Sequence, residues 1–139
     1  MTPPRPMRLV RLALAAALGA VLLAASACGG DGGTNVAANL TGRWVGANAR
    51  TTVAVTLAQD RTSVTGTGTF SDESGVSSIA VFGTYTPPSF TLTINFPNTT
   101  FNPITFSGTV PRSTVMSGTL TGSGYVGEPI QLVRQETAR

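Results

Sequence analysis

Histidine is missing from this chain altogether, which removes the serine–histidine form of nucleophilic catalysis and every histidine-bearing metal site. Lysine is missing too, and charged residues make up only 11% of the sequence. The acids of the downstream half, Asp60, Asp72, Glu73, Glu128 and Glu136, fall at expected turns or in the tail. None is placed to hold a tuned pKa in a cleft, as general acid–base chemistry requires. Asp72 and Glu73 are adjacent, but no spaced series of oxygen ligands follows them, so they read as a solvated hairpin tip. No phosphate-binding glycine loop is present, because the G-x-G pairs lie inside strand-like segments without a following helix and lysine. The expectation is a protein that is not an enzyme, with no cofactor and no metal.

Positive charge is unevenly placed. The chain carries a formal +3, with a pI near 10.0. Arg5, Arg8 and Arg11 sit ahead of the apolar run "LALAAALGAVLLAA" (12–25), whereas from Cys28 onward six arginines face six acids. The basic pI belongs to the leader, and the main electrostatic mark of a nucleic-acid binder is absent.

A basic n-region, an apolar h-region and small residues "ASA" describe a secretory signal over 1–27. The run is short of the roughly 20 apolar residues that cross a bilayer, and glycines follow it. The only cysteine, Cys28, lies in "LLAASACGGDGG" (22–33). Export implies an oxidising compartment, yet Cys28 has no intramolecular partner. With no histidine beside it and a glycine-rich spacer after it, it is no candidate nucleophile.

Small residues directly before a cysteine, "A-S-A-C", resemble the lipobox of bacterial lipoproteins. In that family the thiol receives a diacylglycerol, the signal is cut before the cysteine and the new amino terminus is acylated. The strongest examples carry leucine three places ahead, where this chain has Ala25. Gly29 follows where an inner-membrane retention signal favours aspartate. The resemblance implies a lipid-anchored protein of the cell envelope, on the periplasmic face of the outer membrane where the organism has one. Its expected partners are then membrane lipid, through an acylated Cys28, and an envelope protein. Residues 28–39, containing "GGDGGTNVAAN", read as a flexible tether.

From Leu40 to Gln135 the pattern alternates with period two and no segment has sustained helical spacing. "TTVAVTLAQ" sets Val53, Val55 and Leu57 on one face, and "SFTLTINF" sets Phe90, Leu92, Ile94 and Phe96 against Thr91, Thr93 and Asn95. Turn signals "AQDRTS", "SDESGVS", "TPPS", "PNTTFNP", "PRST" and "GYVGEP" separate eight strands, from "TGRWVG" to "IQLVRQ", with 136–139 as a tail. Eight strands joined by short loops predict an all-β, antiparallel up-and-down barrel, which removes exposed edges. A two-sheet sandwich spends the same pattern and is the alternative. Glycines on the inward parity, among them Gly66, Gly68, Gly83, Gly108, Gly118 and Gly122, suit tight coiling, though they could equally line a cavity.

The domain opens "LTGRWVG" and closes "PIQLVRQ". That pairing resembles the lipocalin and avidin superfamily, and more broadly the small calycin-like barrel lipoproteins of bacteria that have no assigned activity. The resemblance implies that Gly42 and Trp44 plug one end of the barrel and that Arg134 packs over the indole, joining first and last strands. The chain departs from lipocalins in its shorter barrel, in lacking a second tyrosine-containing signature and in having no terminal helix. Two roles are expected for such a domain. One is a structural or protein-interaction role around a solid core. The other is binding of a small apolar ligand lined by Phe70, Phe82, Phe90, Phe96, Phe106 and Met116, which needs a cavity above roughly 300 Å³.

Overall fold

The computed structural model describes residues 37–137, so the signal, the lipobox with Cys28 and most of the tether lie outside the described residues. Eight strands follow one another: β1 (Gly42–Ala47), β2 (Thr52–Asp60), β3 (Ser63–Asp72), β4 (Gly75–Thr86), β5 (Ser89–Asn95), β6 (Ile104–Arg112), β7 (Val115–Gly122) and β8 (Tyr125–Gln135). Each pairs antiparallel with the next, and β8 returns to β1, which closes an up-and-down barrel. The sandwich alternative is thereby set aside.

Two-residue tips join most neighbours, and their composition fits their geometry. Ser123 and Gly124 both hold positive φ (50° and 89°), as a type I′ hairpin turn requires. The β1–β2 loop is tied by Asn48, whose Oδ1 accepts from the backbone N–H groups of Arg50 and Thr51 at 2.9 Å each. Because the strands alternate in direction, the loops fall into two sets. The proximal end, where the chain enters and leaves, holds residues 37–41, the tips at 61–62, 87–88 and 113–114, and the final segment after Gln135. The distal end holds the loops at 48–51, 73–74, 96–103 and 123–124.

Inside, several cross-strand rows set a glycine between bulky residues. Val55 pairs with Gly68, which pairs with Ile79; Val64 pairs with Gly83, which pairs with Leu92. At Gly68 an added Cβ would lie 2.0 Å from the Ala54 carbonyl oxygen, so the neighbouring backbone already occupies the place of a side chain. The inward glycines thus let neighbouring strands approach and coil closely. Outward positions carry mainly threonine and serine, whose β-branched or small side chains suit a half-exposed strand.

Two bulges bend the closing strands. One lies in β6 between Thr109 and Arg112, next to Pro111, which has no N–H to give a ladder. The other lies in β8, where Leu120 pairs with Glu128 but Thr121 with Val126, leaving Gly127 over at φ 65°. A left-handed glycine in a bulge of this kind switches the parity of the strand. Tyr125 therefore points inward on odd parity, while Ile130, Leu132 and Arg134 point inward on even parity. The break expected around "GYVGEP" is corrected here: the turn is at 123–124, and Val126–Pro129 belong to β8.

Candidate functional site

The barrel offers its interior and two ends. The interior is filled by Val, Leu, Ile and aromatic side chains, and Phe70, Phe90, Phe96, Phe106 and Met116 are all buried in it. Phe90 and Phe106 meet with ring centroids 4.7 Å apart, and Phe70 meets Phe96 edge to face at 5.4 Å. Phe82 is corrected: it is 47% exposed and points outward, between inward Val81 and Gly83. β4 is apolar on both faces around this point (Val81, Phe82), so the hydrophobic pattern gave the wrong side.

At the proximal end, β1 and β8 place Trp44 opposite Arg134 in register. The Arg134 guanidinium lies over the indole, with its Cζ 4.7 Å from the ring centroid. It donates to the Thr41 carbonyl at 2.7 Å and to the Asn39 carbonyl, pinning the entering chain across the end of the barrel. Trp44 is fully buried, and its Nε1 donates to the Leu40 carbonyl at 2.8 Å. Gly42 takes φ 136°, and an added Cβ there would meet the guanidinium at 3.3 Å. A side chain at that position would therefore be strained and would press on the arginine. The arginine's Nε–H is buried without a hydrogen-bond acceptor, with the guanidinium Cζ over the indole. Leu40, fully buried, completes the plug, with its N–H held by the Gln59 side-chain oxygen at 2.8 Å. Tyr85 packs beneath, and burial pushes its hydroxyl pKa upward. Sequence reasoning named neither Leu40 nor Tyr85 for this end. The leucine just ahead of "TGRW" was the available signal.

At the distal end, Tyr125 turns inward and its hydroxyl meets Thr51 Oγ1 at 2.8 Å. A longer contact of 3.4 Å reaches Asp72 Oδ2. Burial raises the Tyr125 pKa, whereas the side-chain hydrogen bond from Ser74 lowers that of Asp72. Arg50 lies over the Tyr125 ring, 5.2 Å from its centroid, and forms a salt bridge with Glu128. Between Phe70, Phe96, Phe101 and Tyr125 lies a space of about 40 Å³, the room of a single water. Among the described residues no group of three or more metal-ligating side chains occurs. The chemistry on offer is hydrogen bonding and packing, with both ends of the β1–β8 seam closed by an arginine over an aromatic ring. No family model, no curated protein and no solved structure matches the chain.

Proposed function

We propose that this protein is a lipid-anchored envelope lipoprotein whose barrel serves a structural or protein-interaction role. The observation that carries the anchoring is the A-S-A-C segment at residues 25–28, placed after a basic and apolar leader and ahead of a glycine-rich tether. One acyl chain holds a protein marginally and two or more hold it stably, at about 0.8 kcal/mol per buried CH₂. What supports the structural role is the filled interior, in which backbone takes the places that side-chain-free glycines leave. The competing expectation, a small apolar ligand in the barrel, draws no support from that interior. The calycin-like resemblance is carried by Trp44 and Arg134 and extends to architecture, not to a ligand.

Intact mass of the protein extracted from membranes tests the anchor. The expected result is a chain beginning at Cys28 with acyl mass on it, and a Cys28→Ala form that keeps its leader and no lipid. An unacylated mature amino terminus would sink the proposal. Mass spectrometry of lipid extracts carried by the purified barrel tests the role, with no enriched small molecule as the expected outcome.

A further inference from the structure

The folded part has nearly balanced charge, but the fold sorts it. Among the described residues the proximal end holds Arg43, Arg61, Arg112 and Arg134 against Asp60 and Glu136. The distal end holds Arg50 against Asp72, Glu73 and Glu128. Four arginines against two acids leave +2 on one end, and one against three leaves −2 on the other. The salt bridge found among these residues, Arg50–Glu128, is distal, so among the described residues the proximal arginines meet no acid within bonding distance. Arg43, Arg61 and Arg112 are exposed. Arg134 donates to the neutral carbonyls of Thr41 and Asn39 and, among the described residues, has no acid partner beside an open groove between Thr41–Arg43 and Arg134–Thr137.

We infer that the proximal end is a docking face for anionic phospholipid headgroups, and that this contact stands the anchored barrel upright. The inference rests on the lipoprotein reading above. The chain enters the barrel at this basic end, next to Arg134. Residues 29–36 separate Cys28 from the first described residue, so at about 3.5 Å per residue the basic end lies within about 30 Å of an acylated cysteine in any conformation. A basic residue near an anionic leaflet is attracted by a field that fades within a Debye length, about 8 Å at physiological ionic strength. Strands of up to 12 residues set the two ends well over that distance apart. The same field therefore draws the proximal end down and leaves the acidic distal end, with the exposed side chains of Phe101 and Val126, facing away from the membrane.

The test uses the barrel without its anchor, residues 34–139, a separate compact unit whose eight strands pair only with one another. Co-sedimentation is measured with phosphatidylglycerol/phosphatidylcholine vesicles and with phosphatidylcholine vesicles alone. The expected preference for the anionic vesicles is about tenfold at low salt, and added salt removes it. A charge isomer, Arg112→Glu with Glu73→Arg, keeps composition and net charge while erasing the difference between the ends. It should lose the preference, and the milder single change Arg112→Ser, which leaves +1 on the proximal end, should weaken it, with the Trp44 near-ultraviolet signal reporting that each variant is folded. Equal binding to both vesicle types, or a folded charge isomer that binds like the parent, would overturn the inference. The intact-mass measurement on the natural protein fails or succeeds independently, because the vesicle assay contains no acyl chain.

Discussion

Arg134 and Trp44 face each other across the β1–β8 seam, the guanidinium 4.7 Å from the centre of the indole, and no other ladder joins the first strand to the last. That ladder has three partner pairs, against ten for β3 with β4, so side chains carry much of the closure. A cation–π contact at this half-buried arginine contributes about 1 kcal/mol. Arg134→Met keeps the apolar stem and removes the charge and both hydrogen bonds to the entering chain. Its expected cost is about 2 kcal/mol, read by denaturant unfolding. Trp44 is the single tryptophan, so its fluorescence and near-ultraviolet dichroism follow the same event directly. A variant as stable as the parent, with an unchanged tryptophan signal, would show that the backbone ladder alone closes the barrel.

Gly68→Ala tests whether the inward glycines shape the barrel. The added methyl would sit 2.0 Å from the Ala54 carbonyl oxygen, and backbone on both sides is held by ladders. Overpacking of this kind typically costs 1–3 kcal/mol, and a backbone obstacle places it at the upper end, about 3 kcal/mol. Thr67→Ala, one residue away on the exposed face, should stay within about 0.5 kcal/mol. If the two variants unfold at the same denaturant concentration, the close approach at Gly68 is not what limits the fold.

Phe82 and Phe90 make a matched pair for the interior. Phe90 is buried against Phe106, and Phe90→Ala should cost about 3–5 kcal/mol. Phe82 lies on the outer face, and Phe82→Ser should change stability by less than about 1 kcal/mol. Thermal unfolding of both variants beside the parent measures the difference. A large loss at Phe82 would mean that its outer face is covered in solution.

How much of this was legible follows from where alternation holds. β2 and β5 alternate cleanly, Val53-Val55-Leu57 and Phe90-Leu92-Ile94, and their faces, lengths and neighbours could be read from residue types alone. β4 is apolar on both faces, so Phe82 was placed inside although Gly83 beside it was also given the inward parity, and only the register against Thr65 and Thr93 separates them. In β8 the bulge at Gly127 reverses parity mid-strand, which made one strand look like a turn followed by a shorter strand. The Trp44–Arg134 pair was suggested by resemblance at both chain ends. The Thr51–Tyr125 contact was not, because no local pattern joins a loop threonine to a tyrosine on the last strand. Charge gave a partial picture as well. A near-zero sum hid an end-to-end separation that appears only once alternate turns are gathered at opposite ends.

Titration supplies the last prediction. With no histidine and no lysine, the barrel holds no side chain whose ordinary pKa lies between the carboxylates and tyrosine. Stability should therefore be flat from about pH 5 to about pH 9. On the alkaline side Tyr85 and Tyr125 both have raised pKa values, chiefly from burial. The folded state holds those phenolic protons more tightly than the unfolded chain does. That contribution is complete below the unfolded tyrosine value, about 10, and is lost as pH rises through the folded values. On the acid side Asp72 is lowered, first by the Ser74 side-chain hydrogen bond. Its contribution is present above the unfolded carboxylate value, about 4, and is lost as pH falls through the lowered one. Asp72 is partly exposed and solvent screens it, so the acid limb should be the shallower. Unfolding midpoints across the pH range check both limbs. Tyr125→Phe removes one phenolic proton together with the Thr51 contact, so it should lower the plateau and flatten the alkaline fall. An alkaline limb as steep as the parent's in that variant would leave Tyr85 as its source.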